Sequence, residues 1–592
     1  MAASTDLADT IATSSITLYD SLRKHGKPAV RPNGVEEWTI LATISLPLPT
    51  DPPGPTRVIP VSLGTGVKVL PANRLPPLGD AVHDSHAEVL ARRGFVRWLL
   101  DEGRKAGSTG SKRGSRPART RGRGVPKPKE ETFMIWRDGK LRLKDGIEVW
   151  LYVSTLPCGD ASMLHTAAHQ DPEIASLKAI SPPSTPKIDL PDAATNSETP
   201  KIPVAPTLAH AVRGRNGYDN FGAIRTKPGR ADSTPTISLS CSDKIAGWTV
   251  LGLQGALLEN LFDPVYLSGI VIGGVEHDAP CGWHGRPGKA WREVIGKEVE
   301  RALWGRLGPL IGRLPVPFEL HPPAIRFADV DFTHSKTAVA AYSKPDLEPA
   351  PSTLSLTYIP ALMKKGAEVL YNGTRQSSTW KPPGTELLKP KARASVCKIE
   401  IMWAYLGLFE LVYTSKLKEG LSDDHEMSYH DLKHRFESPY QRAKTLIRGS
   451  PTTADTLHSA FGTIGPFDVT FAPDAEFCKA LPPFCGWIIS GKRFESFNRH
   501  AQLLLPPHLW PTLPPRPSSG PKVDAATPAV SDDSVDKPGA VPLPLTPPTE
   551  VLGLGLGHPV EGAVLPDTAV APVDLPIGQG EAPPRTETTV SP

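Results

Sequence analysis

Three segments far apart in the chain each carry a zinc-binding side chain at what reads as the start of a helix. They are Asp84-Ser85-His86-Ala87-Glu88, Pro157-Cys158-Gly159-Asp160-Ala161 and Ser240-Cys241-Ser242-Asp243-Lys244. A fold that brings His86, Cys158 and Cys241 together is tightly constrained, because three separate chain turns must converge on one point. Three protein ligands leave the fourth position of a tetrahedral ion open to water, as in catalytic rather than structural zinc sites. Glu88, two residues beyond the histidine, is the candidate proton carrier.

Each segment also has a plainer reading. Positions i and i+2 lie about 200° apart on a helix, so His86 and Glu88 converge only at a helix tip. Ser85 followed three residues later by Glu88 fits a capping box, and taken alone the segment favours that cap. A lone cysteine is more often a small buried hydrophobe than a ligand. At a helix N-terminus, however, the local positive potential stabilises the thiolate that zinc binds. The recurrence of the same setting makes coincidence the weaker account. The compact Pro-Cys-x-x-Cys pattern of many zinc deaminases is absent, since the second cysteine is displaced far downstream.

Composition bounds the rest. Proline makes up 66 of 592 residues, about twice the usual share of roughly 5%, so less of the chain is expected to fold than its length allows. The net charge is only +4, which leaves nucleic-acid affinity to local basic patches. Six cysteines without regular spacing, and no apolar run resembling a secretion signal or a membrane span, predict a soluble protein of a reducing compartment, cytosol or nucleus. No membrane partner is expected.

Along the chain, a helical segment is predicted around Leu18–Leu22, a β-rich run over Glu36–Ile44, and a hairpin from Val58–Leu63 through Gly64-Thr65-Gly66 to Val67–Leu70. A helix follows over His86–Leu100. Gly, Ser, Arg, Lys and Pro dominate 103–129, and Pro, Ser and Thr dominate 165–206; both read as low-complexity insertions. Strands are predicted at Lys140–Leu143, Ile147–Ser154, Thr236–Ser240 and Val265–Gly273, and helices at Asp243–Leu261, Lys398–Tyr413 and Tyr440–Ile447. The predicted fold is an α/β mixed sheet flanked by helices, with a helical C-terminal part, spanning 16–505. Residues 506–592 read as a disordered Pro-rich tail.

These residues resemble the adenosine-to-inosine RNA deaminase family. The likeness is carried by Leu63-Gly64-Thr65-Gly66-x-Lys68, Asp84-Ser85-His86-Ala87-Glu88 with Arg92-Arg93, and Ser154-Thr155-Leu156-Pro157-Cys158-Gly159-Asp160-Ala161. It continues through Ile224-Arg225-Thr226-Lys227-Pro228-Gly229-Arg230, Ser240-Cys241-Ser242-Asp243-Lys244-Ile245-Ala246-x-Trp248, Gly252-x-Gln254-Gly255 and Arg393-Ala394-Ser395-x-Cys397-Lys398. The resemblance implies one zinc ion on His86, Cys158 and Cys241, with Glu88 relaying the proton during hydrolytic deamination of adenosine. It also implies a buried inositol hexakisphosphate held by Arg92, Arg93, Lys244, Trp248, Lys398, Tyr429, Lys433, Tyr440, Lys444 and Trp487. His83, Gly247, Ala256 and Ser490 stand where the double-strand editors of the family have polar or charged cage residues. For Lys433 and Lys444 a solvated helix face is an equal reading.

Within the family, the segment Tyr19-Asp20-x-Leu22 … Gly26-Lys27-Pro28 … Trp38-Thr39-Ile40-Leu41-Ala42 and the short link that joins Lys227-Pro228-Gly229-Arg230-Ala231-Asp232 to Ser240 are similar to the tRNA-specific branch. That branch implies a tRNA partner, with adenosine 37 beside the anticodon of alanine tRNA as target, and no DNA. An anticodon-loop base is already unpaired, so it needs less eviction work than a base in a duplex. Lys68, Arg225, Lys227 and Arg230 are the expected RNA backbone contacts. Editing of structured mRNA, and a non-catalytic RNA-binding subunit with a structural zinc, are the alternatives. Cys281-x-x-His284 reads as a loop, Cys478 and Cys485 as packing residues, and the basic 103–129 stretch equally as a phosphate-contact or import patch and as a solvated spacer.

Overall fold

The computed structural model describes residues 6–49, 56–71, 74–110, 132–170, 211–214, 220–227, 234, 236–280, 290–376, 386–413, 427–434, 438–449, 482–484, 486–488 and 492–504. The tail beyond 505, most of both low-complexity stretches, and Arg230, Cys281, His284, Cys478, Cys485 and Ser490 lie outside them. All described residues belong to one compact unit, Met1–Arg516.

Alternation of apolar side chains in the strands sets the layers. In chain order the main elements are α1 (Leu7–Ser21), β1 (Leu41–Leu48), β2 (Arg57–Thr65), β3 (Val67–Val69), β4 (Asp84–His86), α2 (Ala87–Gly110), β5 (Trp150–Val153), α3 (Met163–Ala168), α4 (Cys241–Leu251), β6 (Gly269–Ile272), α5 (Trp291–Leu303) and β7 (Ala324–Phe327). They continue with β8 (Leu354–Tyr358), β9 (Glu368–Tyr371), β10 (Thr374–Arg375), α6 (Lys398–Tyr413), α7 (Tyr429–His434) and α8 (Pro439–Arg448). Eight strands form one sheet in the order β7-β6-β5-β1-β2-β8-β9-β10. It is mixed: β5, β6 and β7 run parallel, and the other neighbours are antiparallel.

Successive side chains of a strand point to opposite faces, and here both faces are apolar. Leu41, Trp150, Tyr152 and Val271 pack with Ile11 and Tyr19 of α1. Ala42, Ile44, Leu151, Val153, Ile270 and Ile272 face the larger core built with α2 and α6. Strands covered on both sides read as continuous apolar runs, as Trp150–Val153 and Gly269–Ile272 do. Helix α4 bridges two cores, giving Ile245 and Trp248 to the large one and Ala246, Val250 and Leu251 to a second that includes Tyr440, Ala443 and Ile447 of α8. Ser438 caps α8 by accepting from the Gln441 amide, with Pro439 in the first turn. Among the described residues no helix is long and apolar enough to cross a membrane.

The mixed sheet flanked by helices agrees with the sequence-based expectation, and α6 has the expected bounds. Several local expectations fail. The predicted 58–70 hairpin does not form. Strand β2 runs through Gly64 because Gly64 pairs with both Ala42 and Thr357. Gly66, at φ 137°, then redirects the chain so that β3 pairs with β4. The N-terminal helix begins at Leu7, well before residue 16. The β-rich run breaks after Trp38, before β1. Helix α2 extends to Gly110, into the stretch read as an insertion, and α3 likewise uses the start of the second. Thr236–Ser240 forms a single bridge, Leu239 to Thr226, instead of a strand. The helix expected over Asp243–Leu261 stops at Gly252, with φ 70°, and resumes as one turn at Gly255–Leu258.

Candidate active site

The helix-tip placement expected for His86 and Glu88 is realised at the junction of β4 and α2. His86 closes β4, and its amide donates to Asp84 Oδ1 at 3.0 Å, while Ser85 lies within the strand. Glu88 is the second residue of α2. His86 and Asp84, two apart on one strand, point to the same side, and His86 Nδ1 lies 2.9 Å from Asp84 Oδ1. A carboxylate on Nδ1 fixes the tautomer and leaves Nε2 as the ligand atom.

Cys158 and Cys241 are brought together by their loops. Gly159, at φ 103°, passes so close to Ser240 that a Cβ there would lie 2.2 Å from Ser240 Oγ. Ser242 ties the two turns: its amide donates to Cys158 O, its hydroxyl reaches Pro157 O and Cys158 O, and the Ala161 amide donates to that hydroxyl. Arg301 pairs with Asp160 at 2.9 Å and Arg306 with Asp243 at 2.7 Å, anchoring both turns to the chain around α5. Cys241 N lies 3.4 Å from Cys158 Sγ. The Cys241 side chain first, then Lys227 and His86, hold the Cys158 thiol well below the ordinary thiol range against the opposing effect of burial.

Lys227 is 3% exposed, and its ammonium donates to Asp84 Oδ2 at 2.8 Å and to Cys241 Sγ at 3.2 Å. Arg225 is fully buried, with its guanidinium on the Gly214 and Asn220 carbonyls. These two residues were expected on the RNA-facing surface; their burial removes them from it. Lys68 is half-buried in β3, opposite Ser85. Glu88 is 2% exposed, and its Oε2 has no hydrogen-bond partner. Burial and the Cys158 thiolate push its carboxyl pKa up, against Lys227 and His86. An imidazole anchored through Nδ1, a thiolate and a second thiol beside a lysine fit zinc, which favours nitrogen and sulfur donors. The orphaned Glu88 oxygen fits a group whose partner is a guest.

Behind this cluster lies a cavity of about 280 Å³. Arg92, Arg93, Lys244, Lys398 and Arg448 line it against two carboxylates, Asp84 and Glu495, with Trp248, Tyr440 and Trp487 completing the wall. Arg448 stacks on Trp487 with its guanidinium carbon 3.7 Å from the ring centroid, and Arg92 lies 5.4 Å from that of Trp248. The Nε atoms of both arginines are buried without a hydrogen-bond partner. Three further residues expected in the cage are engaged by protein partners beside it. Tyr429 stacks on Phe497, Lys433 pairs with Glu495 at 2.7 Å, and Lys444 Nζ lies 3.5 Å from His434 Nε2.

Asp84, Ser238, Arg448 and Glu495 were not singled out from the sequence. Asp84 had a signal in its i, i+2 relation to His86. Arg448 had one too, because Tyr440, Lys444 and Arg448 recur every four residues on one helix face. Ser238 and Glu495 had none.

Residues 62–452 match the adenosine-deaminase (editase) domain, and the chain belongs to that family: it is a hydrolytic deaminase. Among curated relatives, it is 28% identical over 406 residues to "tRNA-specific adenosine deaminase 1" of Schizosaccharomyces pombe, covering 67% of this chain and 84% of the relative. The Homo sapiens protein of the same name is 28% identical over 517 residues, covering 72% and 93%. The Mus musculus "Double-stranded RNA-specific adenosine deaminase" is 31% identical over 214 residues, only 36% of this chain and 16% of that relative.

Proposed function

We propose that the enzyme converts adenosine to inosine in tRNA with one zinc ion held by His86, Cys158 and Cys241, and that adenosine 37 of alanine tRNA is the target. What supports this reading is the run of contacts that links the three residues beside Glu88: Asp84 holds His86 Nδ1 at 2.9 Å and Lys227 at 2.8 Å, Lys227 reaches Cys241 Sγ at 3.2 Å, the Cys241 amide lies 3.4 Å from Cys158 Sγ, and Glu88 is a buried carboxyl with an unpartnered oxygen. Support for tRNA comes from the coverage of relatives: the tRNA-specific deaminases align over most of both chains, the double-strand-specific one over a fraction.

Zinc, when bound, supplies Lewis acidity that makes a strong oxygen nucleophile available near neutral pH. Asp84 orients the imidazole, and Lys227 balances thiolate charge at Cys241. Glu88 takes a proton from the attacking water and passes it to N1 of adenine as oxygen adds to C6, then takes the remaining proton of that oxygen and delivers it to the departing amino group. Adenosine and water become inosine and ammonia. The raised carboxyl pKa suits an acid that both accepts and returns a proton. Lys68 is the remaining described candidate for RNA backbone contact.

The cation-lined cavity is read as the seat of a polyphosphate, and the family resemblance makes that inositol hexakisphosphate. Buried cations in excess of carboxylates are costly without an anion.

The test is inosine formation in an alanine-tRNA anticodon stem-loop, with the wild type beside Glu88→Ala and the metal content of both measured. The expected result is inosine at position 37 in the wild type and, in the variant, retained zinc without inosine. Normal editing by the variant removes Glu88 from the reaction. Editing of long duplex RNA but not of the stem-loop assigns the enzyme to mRNA.

A further inference from the structure

A second cluster of metal-binding side chains lies outside the deaminase machinery. Among the described residues, only His165, His169 and Glu276 bring three such donor atoms within 4.8 Å of one another. His165 Nε2 is 3.1 Å from Glu276 Oε2, and His169 Nε2 is 3.5 Å from Glu276 Oε1. The two histidines are one helical turn apart on α3 and its C-cap, so their rings share a face. The ring centroids are 4.1 Å apart at 27°.

The hydrogen bonding of His169 decides what this cluster is for. Its Nδ1 lies 2.8 Å from the His165 carbonyl oxygen. A carbonyl can only accept, so Nδ1 donates to it, and Nε2 is the nitrogen turned toward the carboxylate, 3.5 Å from Glu276 Oε1. A metal cation between the two ring nitrogens and the carboxylate would engage all three side chains at once. A backbone carbonyl on the far nitrogen is also the arrangement that orients histidine ligands at metal sites.

We propose that His165, His169 and Glu276 form a second site for a divalent transition-metal cation such as zinc, joining the helix after the Cys158 turn to the loop after β6. Two imidazoles and one carboxylate form a borderline nitrogen and oxygen donor set, which favours zinc, cobalt or nickel over calcium or magnesium. All three side chains are partly exposed, so the ion exchanges with solvent. The site is independent of the one proposed for deamination.

The test uses the full chain and zinc alone. Wild type, Glu276→Gln and His165→Ala/His169→Ala are dialysed against buffered free zinc over a range of concentrations, and bound metal per chain is measured. At saturation the wild type is expected to take up one equivalent more than His165→Ala/His169→Ala, and Glu276→Gln to bind that equivalent about tenfold to a hundredfold more weakly or worse. Cobalt separates the two sites. The cysteine site gives thiolate-to-metal charge-transfer absorption, whereas the second equivalent adds only weak ligand-field bands, in the wild type alone. Loss of the charge-transfer band speaks to the deaminase site and leaves this one standing. Equal affinity for the second equivalent and equal ligand-field spectra in wild type and Glu276→Gln, a variant that keeps side-chain size, or equal stoichiometry in wild type and the double-histidine variant, overturn the proposal.

Discussion

Asp84 and Arg448 line the same cavity in opposite circumstances. Asp84 spends one oxygen on His86 and the other on Lys227, Ser238 and Lys244, so its charge is answered within the chain. Arg448 is partly buried, its Nε without a hydrogen-bond partner and its guanidinium stacked on the Trp487 ring. The difference separates two ways of building a charged interior. Around the ligand triad, hydrogen bonds fix each side chain before anything binds, which suits chemistry that depends on orientation. In the cavity, cations exceed carboxylates, and that imbalance is what the proposed polyphosphate would answer. Lys244 joins the two, lining the cavity while donating to Asp84 and to Ser238.

The largest effect expected from breaking this contrast is on the reaction itself. Glu88→Gln keeps the shape of the side chain and removes proton transfer, so inosine formation should fall by about 10²–10⁴-fold or more. Its urea midpoint should not drop, because the buried carboxyl it replaces has an unpartnered oxygen. A variant that loses activity and stability together would make Glu88 a structural residue. Next comes Asp84→Asn, which withdraws the charge shared by Lys227 and Lys244. Removing one partner of a buried pair costs about 3–5 kcal/mol, read as a shift in chemical denaturation at constant slope. An unchanged midpoint would show that the network around His86 is dispensable for folding.

The cavity is probed by supply rather than removal. If its cations await a polyphosphate, inositol hexakisphosphate at about 100-fold above its Kd should raise stability by about 2.7 kcal/mol. Arg448→Met should abolish most of that gain. A guest-independent melting temperature in anion-stripped protein would end the polyphosphate reading.

What the sequence disclosed follows from the range of each interaction. The apolar runs Trp150–Val153 and Gly269–Ile272 and the helix Lys398–Tyr413 were readable because periodicity is local. His86, Cys158, Cys241 and Glu88 could be proposed from sequence because each stands in a short motif beside a strand or helix end. Lys227 was misassigned because its partners, Asp84 and Cys241, are 143 and 14 residues away in sequence, and nothing local distinguishes a lysine that meets RNA from one that meets a thiolate. Gly64-Thr65-Gly66 was misread for a related reason. Its glycines have turn composition, but the pairing of Gly64 with strands on both sides overrides it.

The smallest expected effect, a pH slope, also separates the empty from the filled cavity most finely. Burial first, then the neighbouring Arg448 and Lys433 charges, bring Lys444 down to about 7. In the unfolded chain a lysine titrates near 10.4. Below pH 7 the group is protonated in both states, so its destabilising effect is present in full and does not vary. Between about 7 and 10.4 the unfolded chain binds more protons than the folded one, so stability rises with pH, by at most about 1.4 kcal/mol per unit. A polyphosphate nearby would keep Lys444 charged in the folded state and erase the slope. Urea denaturation at pH 7, 8 and 9, with and without inositol hexakisphosphate, should show the rise only without the anion, and Lys444→Met should remove it in both conditions. A slope that survives both the anion and the substitution belongs to another group, and Lys444 then takes no part in balancing the cavity.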